Sequence, residues 1–399
     1  MQSLDTNKKF LIVTPWYGFF AGGAEKLARG LAVQLDKRGF EVKVFSTRVK
    51  SPYNDWWQNT KSVKNREIID GIKVTRFSVG GANKNKYQDS LKSILRGNKD
   101  DSIGYDFFNN GISSSRLVSE VGSYLNDGWE VIVLPYFQTL THHVINQYPG
   151  KIVLIPCLHN ERELVLDPVT TLLQNSKKII FNTPEEKLLA IRTFASRLGH
   201  KILDAPIAGV GIDTQIIPAD PIKQNSNIKI PKQFALYLGR KEKGKNVDLL
   251  VKWHANYINT VKKPLPLVFV GEGDNKLIPH HKYFIDFGYV PDETKQQLIN
   301  SANVVVNLSV NESFSYVLME AWLNHKPVVI LKECEVTNGH LLRSGGGFAI
   351  ENQNDYIAGL NLITTRKTLM TKLGEQGFDY VLANYSWDVV IPKLINELT

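Results

Sequence analysis

Short apolar runs alternate along this chain with longer segments in which apolar residues recur at helical spacing. The runs predict buried strands and the longer segments predict helices, because each pattern presents an apolar face to a core in that conformation. The chain opens in this way, with a strand at Lys9–Thr14, a helix at Glu25–Arg38 and a strand at Glu41–Ser46. Strands that alternate with helices are typical of a parallel sheet, so we expect an α/β protein.

The alternation continues along the chain, with one interruption in each half. Val49–Asn110 is irregular apart from a strand-like run at Ile72–Phe77, and Gly209–Lys232 is rich in Pro, Asn and Lys with weak periodicity. The other elements predicted for the first half are a helix at Ser113–Asn126 and strands at Val131–Pro135, Lys151–Pro156 and Lys178–Asn182. Those predicted for the second half are strands at Ala235–Leu238, Leu267–Val270, Ile285–Gly288, Ala302–Leu308 and Pro327–Leu331, and helices at Val247–Asn259, before Ser301 and at Tyr385–Leu398.

The polar segment before residue 233 divides this pattern into two βα domains in tandem. A chain of 399 residues is too long for one ordinary domain and suits two. We therefore predict an N-terminal domain at residues 1–208, a linker at 209–232 and a C-terminal domain at 233–380. The last helix, within residues 381–399, is expected to cross back and pack on the N-terminal domain.

One stretch of the second domain carries a chemical signal. It spans Asn311–Pro327, reads N-E-S-F-S-Y-V-L-M-E-A-W-L-N-H-K-P and lies between two buried strands. Backbone N–H groups at a helix start have no intrahelical acceptor, so they attract phosphate or a sugar oxygen. Two carboxylates, Glu312 and Glu320, flank this start and suit hydroxyl groups rather than an anion. A nucleotide sugar fits this arrangement, although the helix dipole alone also favours Glu near a helix start.

The charge of the chain is uneven. The net charge is +9, and residues 1–200 hold 27 Lys and Arg against 19 Asp and Glu, whereas residues 201–399 hold 21 against 20. A basic first half suggests an anionic partner, such as nucleic acid, a membrane surface or a lipid diphosphate, although a solvated surface explains the charge as well. No helix-turn-helix, zinc or stacking-sheet motif is present in the sequence, so nucleic acid is not expected.

The sequence favours a cytoplasmic location. No apolar stretch reaches the roughly 20 residues that a membrane-spanning helix needs, and the N-terminus lacks the apolar region of a signal peptide. The two cysteines, Cys157 and Cys334, have no metal-ligand spacing and are most simply reduced thiols.

Two strand ends of the first domain carry candidate ligand groups. Gly22 and Gly23 precede the first helix, where they either let a ligand approach the backbone or form an ordinary tight turn. They are not a G-x-G-x-x-G fingerprint, and no acidic residue ends the second strand, so a nicotinamide or flavin cofactor is disfavoured. His159 follows the carboxyl end of a strand, where open α/β sheets place ligand groups, although a single His is more often structural.

Taken together, these residues resemble the retaining glycosyltransferases of the family with the two-domain GT-B fold, often called family 4 or glycosyl transferases group 1. The resemblance covers nearly the whole chain, and the markers occur in family order. They are G-G-A-E at Gly22–Glu25, His159 at a strand end, G-V-G-I-D at Gly209–Asp213, G-R-x(4)-K-N at Gly239–Asn246, G-E-G-D at Gly271–Asp274, G-Y-V-P-D-E at Gly288–Glu293 and E-S-F-S-x(4)-E at Glu312–Glu320. The resemblance implies two Rossmann-like domains with a cleft between them, the first binding the acceptor and the second the donor.

The resemblance also implies roles for individual residues. Arg240 and Lys245 would clamp the diphosphate, where cations stabilise charge that develops on the leaving group. Glu320 would accept the ribose hydroxyls, Glu312 would hold the donor-sugar hydroxyls, and His159 would contact the transferred sugar near its anomeric carbon. The implied catalytic set is His159, Glu312, Arg240 and Lys245, and the implied donor-binding set is Gly22, Gly23, Gly239, Gly271, Tyr289, Val290, Ser313, Phe314, Ser315, Tyr316 and Glu320.

Backbone groups would complete the implied donor site. The amides of Phe314 and Ser315 would meet the sugar or diphosphate, the Gly288–Val290 turn would line the base, and the Gly23 amide would approach the phosphate when the cleft closes. The sequence contains no D-x-D, which suits a metal-independent site, and no other cofactor is expected. The resemblance implies attack on the face that the leaving phosphate vacates, with that phosphate taking the acceptor proton.

Three positions depart from the family pattern. Ser315 stands where the family has Gly, at a helix mouth where Ser is comfortable, and Leu308-Ser309 replace a common Pro-Ser. His325 replaces the usual Gly at the helix end, so it must tolerate a less easy backbone conformation. These changes leave the identity of the donor open, whereas the predicted fold is little affected.

The sequence therefore predicts a hexosyltransferase. It would move a sugar, with retention, from a nucleoside diphosphate sugar to a glycan or lipid-linked acceptor, as in the assembly of bacterial surface polysaccharides. The basic first half and the aromatic runs at Trp16–Phe20 and Trp56–Trp57 suggest peripheral contact with an anionic membrane surface, although core packing or a lid explains the aromatics equally. Two alternatives remain: a sugar-nucleotide epimerase on the same fold, and a non-catalytic nucleotide-sugar-binding module.

Overall fold

The chain forms two α/β units, each built around its own sheet. The structure, a computed structural model, describes residues 7–18, 22–50, 59–60, 63–215 and 230–398. Unit 1 comprises Met1–Gly211 and Trp387–Thr399, and unit 2 comprises Ile212–Ser386. The predicted α/β architecture with two Rossmann-like domains in tandem is confirmed.

Unit 1 contains, within its described residues, a seven-stranded sheet. The strands are β1 (Lys9–Val13), β2 (Glu41–Thr47), β3 (Arg66–Ile69), β4 (Ile72–Phe77), β5 (Glu130–Val133), β6 (Val153–Leu154) and β7 (Lys178–Ile179). Their order is β3-β4-β2-β1-β5-β6-β7, and β3 runs antiparallel to β4 while the other pairs are parallel. The helices of this part are α1 (Gly23–Asp36), α2 (Lys84–Leu95), α3 (Asp101–Asn110), α4 (Ser115–Asn126), α5 (Thr139–Gln147), α6 (Asp167–Asn175), α7 (Pro184–Leu198) and α8 (His200–Leu203).

Unit 2 contains, in its described part, a six-stranded parallel sheet. The strands are β8 (Ala235–Leu238), β9 (Leu267–Val270), β10 (Phe284–Asp286), β11 (Val304–Asn307), β12 (Val328–Leu331) and β13 (Gly347–Ile350). Their order is β10-β9-β8-β11-β12-β13, so β8 and β11 lie side by side in the middle. The helices are α9 (Val247–Thr260), α10 (Asp292–Ser301), α11 (Tyr316–Leu323), α12 (Glu335–Ser344), α13 (Gln353–Thr365) and α14 (Lys367–Tyr385). Because β8 and β11 are neighbours, the loops that follow them meet at one edge of the sheet.

The last helix of the chain, α15 (Trp387–Leu398), belongs to unit 1, as predicted. The indole of its first residue, Trp387, packs against Gly30 and Gly211. A Cβ added to Gly30 would lie 2.2 Å from the indole, and a Cβ added to Gly211 would lie 2.0 Å from it. At the other end of α15, Lys8 Nζ donates to the carbonyl oxygen of Leu398 at 2.6 Å. The helix is therefore held to unit 1 at both ends.

The described part of Val49–Asn110 is mostly helix and strand, which corrects the prediction of an irregular segment. This part contains β3, α2 and α3 as well as the predicted β4. Both helices begin at side-chain caps, because Asn83 accepts a hydrogen bond from the Lys86 amide and Asp100 accepts one from the Ser102 amide. The pattern concealed them because α2 buries only Tyr87, Ser90 and Ile94.

Other boundaries also differ from prediction. The final helix begins at Trp387 rather than Tyr385, because Ser386 is extended. Residues 332–385 contain α12, α13 and α14, which the pattern did not reveal. The boundaries at 208, 232 and 380 stay predictions, and most of the expected linker lies outside the described residues.

The aromatic run that begins at Trp16 is only partly described. Trp16 and Tyr17 are 4% and 2% exposed, so core packing explains these two residues. Phe19, Phe20, Trp56 and Trp57 lie outside the described residues.

Candidate functional site

The predicted strand–loop–helix unit lies at the carboxyl edge of the unit 2 sheet. The loop leaves β11 at Asn307, whose Oδ1 accepts the Ser309 amide at 2.8 Å, and α11 begins at Tyr316. Glu312 lies in the loop and Glu320 lies just over one turn into α11. Both carboxylates are largely buried, with side chains 17% and 20% exposed. Glu312 in the loop and Glu320 in the helix follow the predicted order, although Glu320 lies nearer the helix start than the two turns expected.

The loop after β8 brings a cation to the first of these carboxylates. Lys245 ends a short 3₁₀ helix, Lys243–Lys245, and its Nζ lies 3.0 Å from Oε1 of Glu312. The next residue, Asn246, adopts a left-handed conformation with φ +53° and donates from Nδ2 to the Leu308 carbonyl oxygen at 3.0 Å. The two marker loops are therefore joined by an ion pair and a hydrogen bond.

Arg240 lies earlier on the same loop. Its Nη2 is 3.1 Å from Oε1 of Glu242, and its side chain is 41% exposed. A hydrogen bond holds the backbone at this position, because Tyr237 donates its hydroxyl proton to the Arg240 carbonyl oxygen at 2.7 Å. Arg240 thus has an anchored backbone and a side chain that can reach solvent.

Glu320 is paired with a cation that the sequence analysis missed. Lys295 Nζ lies 3.2 Å from Oε1 of Glu320 and 3.0 Å from Oδ1 of Asp292. Burial lowers the pKa of Lys295, but the carboxylates of Glu320 and Asp292 raise it by more, so the ammonium stays charged. The spacing of Asp292 and Lys295 on one helix was visible in the sequence, but the approach of α10 to α11 was not.

The mouth of α11 differs from expectation in one respect. Ser315 caps the helix with φ +73°, a left-handed conformation that favours glycine, so the view that Ser is comfortable there is wrong. Phe314 is 3% exposed, and its ring packs edge-on against Tyr385 and His340. Ser313 and Tyr316 flank these residues and are half-buried.

The far end of α11 matches the expectation of strain. His325 adopts φ +53°, as predicted for a residue in the place of a glycine. Its ring stacks on Phe378 with 4.2 Å between ring centroids, so a packing contact offsets the backbone strain.

The glycine-rich turns after β8, β9 and β10 pack backbone against backbone. A Cβ at Gly271 would lie 2.0 Å from the Gly239 carbonyl oxygen, so only glycine fits there. The Gly271 amide donates to the Gly288 carbonyl oxygen at 2.8 Å. Tyr289 follows and is 68% exposed, and Val290 is half-buried.

Unit 1 places its own candidates at the carboxyl edge of its sheet. Gly22 caps α1 with φ −74°, an extended conformation, and Gly23 is the first residue of that helix. His159 follows β6, and its Nδ1 is 3.3 Å from Oε1 of Glu161. The preceding Cys157 has φ +55°, so the chain turns sharply before His159.

A buried carboxylate that the sequence analysis missed supports this His loop. Glu186 is 1% exposed and accepts the Leu158 amide and the Asn182 amide, each at 2.6 Å. Burial raises the pKa of Glu186 to about 7, against the lowering effect of these hydrogen bonds and of nearby His159. The capping pattern T-P-E-E at Thr183 was a signal for the helix but not for this role.

No group of three or more His, Cys, Asp or Glu side chains in the described ranges is arranged to hold a metal ion. No helix in the described ranges combines the length and apolar character that crossing a membrane requires.

Comparisons with known proteins bear on the family and on the fold. A family model described as glycosyl transferases group 1 matches residues 219–379. No curated protein sequence matches the chain.

Many solved structures share the fold over nearly the whole chain. Sucrose-phosphate synthase from Thermosynechococcus elongatus has a TM-score of 0.71 at 15% identity, covering 98% of this chain and 99% of that one. The Anabaena protein HepE in complex with UDP and glucose has a TM-score of 0.67 at 13% identity, with the same coverage. WaaG, a glycosyltransferase involved in lipopolysaccharide biosynthesis, has a TM-score of 0.65 at 16% identity, again with 98% and 99% covered. At these identities the likeness shows the fold, which is GT-B.

Proposed function

We propose that the protein is a glycosyltransferase that moves a sugar from a nucleoside diphosphate sugar to a glycan or lipid-linked acceptor. The observation that carries the proposal is the Lys245–Glu312 pair, 3.0 Å apart at the carboxyl edge of the unit 2 sheet. Glu320 stands eight positions after Glu312, and the match to glycosyl transferases group 1 includes all three residues. Open α/β sheets bind ligands at this edge.

The charges of the site suit a diphosphate and several hydroxyl groups. Lys245 and Arg240 are cations on the loop after β8, and they meet the leaving diphosphate in this proposal, where their attraction grows as negative charge develops. Glu312 accepts hydrogen bonds from the donor sugar, and Glu320 accepts them from the ribose. Lys295 keeps Glu320 paired until the ribose arrives.

The backbone of the site supplies the remaining contacts. The amides at the start of α11, from Ser313 to Tyr316, bind phosphate or sugar oxygens in this proposal, because a helix start attracts such groups. The turns at Gly239, Gly271 and Gly288–Val290 line the nucleotide, with Tyr289 exposed beside the base. Gly22, Gly23 and His159 of unit 1 contact the donor as well in this proposal.

The reaction proposed is retaining and independent of metal. The bond from the anomeric carbon to the diphosphate oxygen breaks, a bond from that carbon to the acceptor oxygen forms on the same face, and the acceptor proton passes to the released diphosphate. Lys245 and Arg240 supply the positive charge at the leaving group. UDP is the first nucleotide to test, because HepE, which shares the fold, is described in complex with UDP and glucose.

Product analysis tests the proposal. The protein is incubated with a ¹³C-labelled UDP-sugar, a glycan acceptor and EDTA, and the mixture is followed by NMR. Release of UDP with a new α-glycosidic signal supports a retaining transferase. Conversion of the sugar without a glycan product would indicate the epimerase, and binding without turnover would indicate the non-catalytic module. Location at a membrane face stays a proposal, which vesicle co-sedimentation tests.

A further inference from the structure

A buried ion pair joins three loops at the carboxyl edge of the unit 2 sheet. Lys241 follows Arg240 in the loop after β8, and its side chain is 1% exposed. Its Nζ lies 2.8 and 2.7 Å from the carboxylate oxygens of Asp286, at the end of β10, and 2.7 Å from Oδ1 of Asn275, after β9. An ammonium has three donors, so these three oxygens satisfy it completely.

The backbone of Lys241 adds to this connection. Its amide donates to the Glu272 carbonyl oxygen at 2.7 Å, and its carbonyl oxygen accepts the Asp274 amide at 2.9 Å. A Cβ at Gly273 would stand 2.4 Å from the Lys241 carbonyl oxygen. The loops after β8 and β9 therefore have little freedom to move apart.

Asp286 extends the connection to the turn that follows β10. Its Oδ1 accepts the Gly288 amide at 2.9 Å while the carboxylate also holds Lys241. Gly288 has φ +64°, and its carbonyl oxygen accepts the Gly271 amide. One carboxylate thus fixes both the buried ammonium and the turn that presents Tyr289 and Val290.

A gain in stability is a weak explanation for a buried ion pair. A buried ion pair is often replaced by apolar side chains of similar volume with no loss of stability, because desolvation offsets the attraction between the charges. What apolar side chains cannot reproduce is the directed set of hydrogen bonds that sets the loop positions.

We propose that Lys241 and Asp286 are positioning residues that hold the Gly288–Val290 turn in a fixed position relative to Arg240. In this way they determine which nucleobase the site accepts in a donor. The inference rests on the proposed function, in which the turn lines the base and Arg240 meets the diphosphate. A turn held in one position leaves its polar groups unpaired against a wrong base, whereas a mobile turn adjusts to several bases.

The test compares binding of UDP, GDP and ADP by calorimetry in the wild type and in the double variant Lys241→Met/Asp286→Leu. We expect the wild type to prefer one nucleotide by at least 100-fold and the double variant to keep its Tm while that preference falls at least tenfold. Lys332→Met/Glu351→Leu removes an exposed ion pair of unit 2 and is the matched control, which should keep the preference.

The outcomes separate the inference from the proposed function. An unchanged preference in a folded double variant would overturn the positioning role alone. Failure of the wild type to bind any of the three nucleotides, or any nucleotide sugar, would overturn both. If the double variant does not fold, amide hydrogen exchange of the wild type decides: the Gly288 amide should be protected before nucleotide is added, and rapid exchange there would overturn the inference.

Discussion

The ammonium of Lys245 lies 3.0 Å from the carboxylate of Glu312, and the two side chains are 26% and 17% exposed. One residue comes from the loop after β8 and the other from the loop after β11, which are adjacent strands. In the proposed reaction this pair separates, because the ammonium turns to the diphosphate and the carboxylate accepts the sugar hydroxyls.

Lys245→Ala is expected to lower kcat about 100-fold while donor affinity changes little, because the charge on the leaving group grows toward the transition state. Steady-state kinetics with the preferred donor measures both parameters. Lys243→Ala, on the same short helix but exposed, is the control and should leave kcat unchanged. A rise in KM with unaltered kcat would show that Lys245 serves only ground-state binding.

Glu320→Ala is expected to weaken donor binding by about 1.5–3 kcal/mol, because it removes charge-assisted hydrogen bonds to the ribose. Isothermal titration calorimetry with the nucleotide measures this loss. Glu293→Ala changes an exposed carboxylate at the start of α10 and is the matched control. Equal affinity of Glu320→Ala and the wild type would refute the ribose role.

Ser315→Gly is expected to raise the free energy of unfolding by about 1 kcal/mol, because a left-handed conformation strains a residue with a Cβ. Urea-induced unfolding provides the measurement. Ser315→Ala keeps the Cβ and the strain, so it should give no gain. Equal effects of the two substitutions would mean that φ +73° is not the cause.

Glu186→Gln tests the pH dependence of unit 1. The folded state raises the pKa of Glu186 from 4.5 to about 7, so the folded chain binds the proton more tightly than the unfolded chain. Protonated Glu186 therefore makes its full contribution to the free energy of unfolding below pH 4.5, and this contribution is lost as the pH rises through 7. The stability of the wild type relative to Glu186→Gln should therefore fall by about 3 kcal/mol across that window. A constant difference between the two proteins from pH 4 to 8 would contradict the raised pKa.

Gly30→Ala is expected to lower the Tm, although alanine favours helices, because its Cβ would stand 2.2 Å from the Trp387 indole. Gly359→Ala, inside α13, is the matched control: its Cβ would meet nothing within 4 Å, so the Tm should rise. Scanning calorimetry measures both. A higher Tm for Gly30→Ala would show that α15 is not packed on α1 as described.

Features that depend on the succession of strands and helices along the chain could be predicted from the sequence. Parallel strands place their carboxyl ends at one edge, and the loops that carry Gly239, Gly271, Gly288 and Glu312 all follow strands of the parallel unit 2 sheet. Lys295 and Lys241 could not be predicted in this way, because their importance depends on which helix or strand lies beside them. Lys241 occurs in R-K-E-K-G-K, a run that resembles an exposed surface, yet it is 1% exposed. The helices α2 and α3 were missed because few of their positions are apolar.

The central claim is that unit 2 binds a nucleoside diphosphate sugar for transfer. Thermal-shift and donor-hydrolysis assays of the purified protein against UDP-, GDP- and dTDP-sugars, with EDTA present, test it most directly. We expect one nucleotide class to raise the Tm and to be hydrolysed slowly, and Glu320→Ala to lose the shift. If no nucleotide sugar raises the Tm of the wild type, with or without a glycan acceptor, the claim is contradicted.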